Sequence, residues 1–179
     1  MEELSLHILD IAENSITAGA KNIEIKITEN KETDLLKIEI IDDGKGMSEE
    51  EINRATDPFF TNRTTRRVGL GLPLLKQAAQ SANGNIKVSS EFGKGTYMCA
   101  TFQLSHIDRQ PLGNMADTIV ALIVANPSMN IIYKYERDEH RFIFDTKEVK
   151  EKIKGININS TSVISFVRQY IKENTESFS

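Results

Sequence analysis

The run Ile38-Glu39-Ile40-Ile41 ends on Asp42-Asp43-Gly44-Lys45-Gly46-Met47. A strand that stops at a carboxylate and is followed by two residues without Cβ leaves room for the backbone to approach a flat ligand. Ionised aspartate only accepts hydrogen bonds, so Asp42 suits an exocyclic amine such as that of adenine. The alternatives are a calcium loop or an acidic turn. An EF-hand loop needs more oxygen ligands, a late Glu and helices on both sides, and the strand before Asp42 argues against it.

The rest of the chain supplies a frame for that strand end. Leu4, Ile8, Ile11 and Ser15 form one stripe of a helix over 2–18, stopped by Gly19. Residues 22–28 alternate, with Ile23, Ile25 and Ile27 on one face, and 35–41 is a second strand after a turn at 30–34. Ser48 caps a short helix whose first turn holds Glu49, Glu50 and Glu51. Residues 55–69 show no period. A helix over 70–82 follows, then strands at 86–91 and 96–104 joined by a tight turn at Phe92-Gly93-Lys94-Gly95. This order predicts an α/β two-layer sandwich, with helices on one face of a mixed, mostly antiparallel sheet.

Residues 105–111 read as a linker. Beyond them come a helix (112–125), strands (129–135 and 140–145) and helices (146–154 and 160–173). The expected division is a domain over 1–105 and a small α+β unit over 106–179. Leu112, Met115, Ile119, Leu122 and Ile123 form one apolar stripe of that unit, and Val163, Phe166, Val167, Tyr170 and Ile171 another. Either the stripes pack on each other as a private core, or a patch is left over for docking or homodimerisation.

Composition narrows the function classes. A net charge of -4 gives no basic footprint for nucleic acid. No apolar run is long enough to span a bilayer. Acidic Glu2 and Glu3 do not resemble a secretory signal, and the single cysteine, Cys99, fits a reducing cytoplasm. Cys99 is expected to be a small core residue of a strand.

Two further patterns bear on chemistry. Gly69-Leu70-Gly71-Leu72 opens a helix, where backbone N–H groups can face an anion. Asp10 and Asn14 are four residues apart and share a helix face. An asparagine oxygen can ligate magnesium, and a carboxylate beside it can orient water or take a proton.

Together these segments resemble the histidine-kinase-like ATPase superfamily. The run Asp10-Ile11-Ala12-Glu13-Asn14-Ser15 through Ala18-Gly19-Ala20 resembles its asparagine box, in the form that mismatch-repair ATPases carry. The stretch from Asp42 to Met47 resembles the first glycine box. Asp57-Pro58-Phe59-Phe60-Thr61 resembles the phenylalanine box of sensor histidine kinases, Gly69-Leu70-Gly71-Leu72 the second glycine box, and Gly93-Lys94-Gly95-Thr96 the closing turn. Five boxes stand in family order over residues 4–104. The resemblance implies the Bergerat fold, ATP or ADP as ligand, and magnesium held on the triphosphate by Asn14.

It also implies roles for single residues. Asp10 and Asn14 form the catalytic pair. Asp42 would bind the adenine amine with Thr96 beside it, and Gly44, Gly46 and Met47 would line the pocket. Gly69, Gly71 and Leu72 would meet phosphate and hinge a lid, in which Thr61, Arg63, Arg66 and Arg67 face the nucleotide. Three departures stand out. Asp10 replaces the commoner Glu, Asp43 replaces the commoner Asn and adds a negative charge near the nucleotide, and the lid over 61–68 is short.

The boxes do not fix the phosphoryl acceptor. The resemblance implies a protein phosphotransferase of histidine-kinase or anti-sigma-kinase type in signalling; the alternatives are a slow ATPase switch acting on a partner and a module that holds nucleotide without turnover. His106-Ile107-Asp108-Arg109-Gln110-Pro111-Leu112 echoes a phospho-acceptor box, with Ile107 where an acidic residue is expected and a strand instead of a helix before it. His7 reads as a packing residue of the first helix.

Overall fold

Ile23, Ile25 and Ile27 are buried, as are Leu36, Ile38 and Ile40, Met98, Ala100 and Phe102, and Ile131, Tyr133 and Tyr135. Every second residue on four strands thus faces one core, which requires that the strands lie in one sheet with one covered face. The computed structural model shows that sheet. It describes all residues except Met1, Pro58, 60–70 and 177–179.

The strands are β1 (Asn22–Asn30), β2 (Leu35–Asp42), β3 (Asn85–Glu91), β4 (Gly95–Gln103), β5 (Asn130–Arg137) and β6 (His140–Asp145), in the order β3-β4-β2-β1-β5-β6. Among the described residues only the β1–β5 pairing is parallel. The helices are α1 (Leu4–Thr17), α2 (Glu49–Thr56), α3 (Gly71–Ser81), α4 (Met115–Ala125), α5 (Thr146–Ile153) and α6 (Thr161–Thr175). Contacts run from α3 to α1, from α1 to α4 and from α4 to α6, so these four form the second layer of the sandwich.

The other face of the sheet carries charge. Lys26 pairs with Glu136 at 3.2 Å, Lys134 with Glu24 at 2.8 Å, and the Tyr97 hydroxyl donates to Glu39 at 2.8 Å. Cys99 lies on this face, half-buried. The core position expected for it belongs to its neighbours Met98 and Ala100, because alternation turns it the other way.

The strand pairing runs across the expected boundary at 105/106. Ile131, Tyr133 and Tyr135 on β5 pair with Ile23, Ile25 and Ile27 on β1, and α4 lies against α1. Met115, Ile119, Leu122, Ile123, Val163, Val167 and Ile171 join the same core as Leu4 and Ile8. The C-terminal stripes therefore do not form a private core. Sequence periodicity could show that they must be buried but not against what. At roughly 1.5–3 kcal/mol for each fully buried aliphatic side chain, this shared layer is a large part of what holds the fold. Phe166 and Tyr170 depart from their stripe and stay 62% and 40% exposed.

Residues 104–114 hold no helix or strand, as a linker should, but they are tied down. Leu4 and Ser5 donate backbone hydrogen bonds to Pro111 and Leu112, and the Asp34 carboxylate accepts from Ser105. His7 is buried with Nε2 2.9 Å from Gln110 Oε1, which bears out its packing role.

Candidate functional site

The end of β2 places Asp42 between two partners that fix its carboxylate. Ser15 Oγ on α1 donates to Asp42 Oδ2 at 2.7 Å, and Gly44 N donates to Asp42 Oδ1 at 2.9 Å. Each oxygen keeps a second lone pair, so the carboxylate is oriented yet can still accept. Thr96 pairs with Asp42 across the β2–β4 ladder, and its hydroxyl lies 2.9 Å from Ser90 Oγ. Ser90 also donates to Gly95 O and accepts from Met47 N, both at 2.8 Å. Asp42, Thr96, Gly44, Gly46 and Met47 are thus assembled at one end of the sheet by two serines.

The glycines are needed for this closeness. A Cβ on Gly44 would lie 3.0 Å from Asp42 Oδ1 and 3.2 Å from Ala18 Cβ. Gly46 has φ +70° and Gly95 φ +113°. A Cβ on Gly46 would strike Glu91 O, and one on Gly95 would strike Asp42 O. Both need a backbone conformation and a clearance that other residues lack.

Asp10 lies on α1 beside the start of α3, and Asn14 follows one turn later on the same helix. A Cβ on Gly71 would meet Asp10 Cβ at 3.1 Å, so Gly71 lets the N-terminus of α3, with Leu72, come close to α1. Asp10 is exposed and Asn14 half-buried. The Asn14 side chain makes no hydrogen bond among the described residues, which leaves its amide oxygen for a ligand. Among the described residues no group of three His, Cys, Asp or Glu side chains gathers to hold a metal. One neutral amide oxygen fits magnesium, which keeps waters and takes phosphate oxygens in preference to an all-protein cage.

The structure corrects the reading of Asp43. Its carboxylate is taken up by the start of β1, where it accepts from Lys21 N at 2.8 Å, Asn22 N at 2.9 Å and Asn22 Nδ2 at 2.7 Å. Burial pushes the carboxyl up, but the Asn22 side chain, followed by the Asn22 and Lys21 backbone, outweighs this and holds it below the usual range. Asn22 Oδ1 in turn accepts from Asn130 on β5. Asp43 is a clamp for the starts of β1 and β5.

Ser15 and Ser90 were not singled out as site residues from sequence. Ser15 carried a signal, a hydroxyl on an otherwise apolar helix stripe. Thr61, Arg63, Arg66, Arg67 and Gly69 lie outside the described residues. In the phenylalanine box, Phe59 is 93% exposed and its N–H donates to Asp57. His106 sits in a turn, its Nδ1 accepting from Asp108 N, and no helix surrounds it.

Residues 2–106 match the family described as histidine kinase-, DNA gyrase B- and HSP90-like ATPase. The chain belongs to this family. The histidine protein kinase SaeS of Staphylococcus aureus is 34% identical over 106 residues, which cover 56% of this chain and 30% of SaeS. Sporulation kinase C of Bacillus subtilis is 30% identical over 94 residues, 52% of this chain and 22% of that one. The chain therefore spans less than a third of the length of these relatives. The MutL ATPase domain of Aquifex aeolicus, solved with ADP, superposes with a TM-score of 0.52 at 13% identity, covering 85% of this chain and 68% of that one. That likeness extends past residue 106 and shows the fold, a Bergerat ATPase sandwich. No described helix is long and apolar enough to cross a membrane.

Proposed function

We propose that this chain binds ATP with magnesium and serves as the ATP-binding part of a protein phosphotransferase. The observation that carries the reading is the carboxylate of Asp42, oriented by Ser15 and Gly44 and flanked by glycines that leave no room for a Cβ. Asp42 accepts the adenine amine, and Thr96 stands beside it. Asn14 would hold magnesium, which when bound supplies charge neutralisation on the triphosphate. The α3 N-terminus lies next to Asp10 and offers N–H groups to phosphate. Asp10 is exposed on that face and accepts a proton from, or orients, the attacking group. Phosphoryl transfer needs positioning and neutralisation more than covalent work by the protein, and these parts supply both. The two relatives found by sequence, SaeS and sporulation kinase C, are kinases, which supports a protein acceptor.

The test uses ATP labelled on its γ-phosphate, with magnesium, the full chain and protein fractions from a cell that carries the gene. Label on a protein supports the phosphotransferase. Label released only as inorganic phosphate would make the chain an ATPase switch, and unchanged ATP would leave a binding module.

A further inference from the structure

The two edges of the sheet are built differently. At one edge β3 exposes Lys87, Ser89 and Glu91, and α2 packs beside it. Charge and cover of this kind keep an edge from pairing with another chain. At the other edge β6 has no proline and no lysine, and on its outward face stands Ile143, 62% exposed, between Arg141 and Asp145. The hairpin loop before β6 is the two residues Asp138 and Glu139. Its closing pair, Arg137 and His140, exchanges backbone hydrogen bonds, so alternation turns the N–H and C=O of Ile143 away from β5 and toward the open edge.

An apolar surface continues from that edge onto α6. Phe142 on β6 meets Tyr170 edge-on at 5.5 Å between ring centroids, and Tyr170 stacks on Phe166 at 5.8 Å. Phe166 and Tyr170 are the two members of the α6 stripe that the core leaves out.

We propose that β6 and the outer face of α6 join two copies of this chain about a two-fold axis, with β6 pairing antiparallel to β6 of the second copy at Ile143. The register is self-complementary. With Ile143 on the axis, isoleucine meets isoleucine, and Arg141 stands opposite Asp145 of the second copy on both sides. Moving the axis two residues either way puts Arg141 against Arg141 or Asp145 against Asp145, which like-charge repulsion disfavours. The two α6 helices then approach on the helical side and cover Phe166 and Tyr170. An isologous contact of this kind closes as a dimer and leaves no growing edge. The surface is remote from Asp42 in the strand order, so the dimer forms with or without nucleotide.

Sedimentation velocity on the full chain over a dilution series tests this. The wild type is expected to be a dimer, and Ile143→Lys, which sets two ammonium groups on the axis, to raise the dimer dissociation constant by roughly a hundredfold or more with its far-ultraviolet circular dichroism unchanged. A wild type that is monomeric throughout, or a dimer indifferent to Ile143→Lys, overturns the proposal. Should that variant not fold, a Cys99→Ser, Ile143→Cys chain decides. Mild oxidation links it into covalent dimers, whereas a Cys99→Ser, Lys87→Cys control stays unlinked; absence of the Ile143→Cys link also overturns the proposal.

Discussion

Ser15 Oγ on α1 and Asp42 Oδ2 at the end of β2 lie 2.7 Å apart, and that bond joins the helix carrying Asn14 to the strand carrying the proposed adenine acceptor. Ser15 is 4% exposed, so the bond is shielded from water. Ser15→Ala removes one neutral donor to a charged acceptor, a loss of about 1.5 kcal/mol. ADP affinity measured by calorimetry is expected to fall about tenfold while the far-ultraviolet circular dichroism stays that of the wild type. Unchanged affinity would mean that Gly44 alone orients Asp42.

Asn14→Ala separates the metal from the base. Among the described residues Asn14 spends no side-chain hydrogen bond on the fold, and alanine is the better helix former by up to about 0.7 kcal/mol. The melting temperature is expected to hold or rise slightly. The gain in ATP affinity that magnesium gives the wild type is expected to vanish. A fallen melting temperature with the magnesium effect intact would make Asn14 structural.

Gly46→Ala and Gly93→Ala distinguish backbone conformation from clearance. Both glycines have positive φ, +70° and +84°. A Cβ at Gly93 meets nothing within 4 Å, whereas one at Gly46 strikes Glu91 O. Gly93→Ala is expected to cost about 1 kcal/mol, the strain alone. Gly46→Ala is expected to cost on the order of 3 kcal/mol or more, because β3 must also move. Urea denaturation of the two variants measures the difference, and equal costs would contradict the clearance argument.

Asp43 gives the fold an acid limit. A carboxyl held below its unfolded value, near about 4, stabilises the fold above that value and ceases to do so as pH falls through the folded one. Asp34 and Glu51 are lowered in the same way, through Ser105 and Gln103 for the first and mainly the Ser48 backbone for the second. Stability is therefore expected to drop as pH falls below the ordinary carboxylate range. Asp43→Asn keeps an oxygen for the Lys21 and Asn22 N–H groups and is expected to flatten part of that drop. Thermal melts at a series of acidic pH values read it out; an unchanged slope would contradict the clamp.

Much of this was legible in the residues. The period-two alternation of Ile23, Ile25 and Ile27 marked a strand and its inner face, and Ser48 read as the helix cap that the structure contains, there in a capping box with Glu51. The sheet order was not legible. Nothing local to Ile131 or Tyr133 says that β5 lies parallel to β1, since a parallel neighbour arrives by a long crossover with no turn signature. The close backbone approach at Gly44 and Gly46 was readable because a strand end followed by residues without Cβ has few uses. The duty of Asp43 was not, because its partners Lys21 and Asn22 are set by the pairing of β1 with β2 and not by neighbours in sequence.

The central claim is that Asp42 accepts the adenine amine, and Asp42→Asn tests it most directly. Asparagine is nearly the same size and keeps one oxygen for Ser15 or Gly44, but it turns a donating NH2 group into a place where an acceptor is needed. Isothermal calorimetry with ADP on the full chain is expected to show binding by the wild type and affinity lower by about 10- to 100-fold in the variant, the equivalent of roughly 1.5–3 kcal/mol. Equal affinities in the two proteins, or a wild type that takes up no nucleotide, would contradict the account.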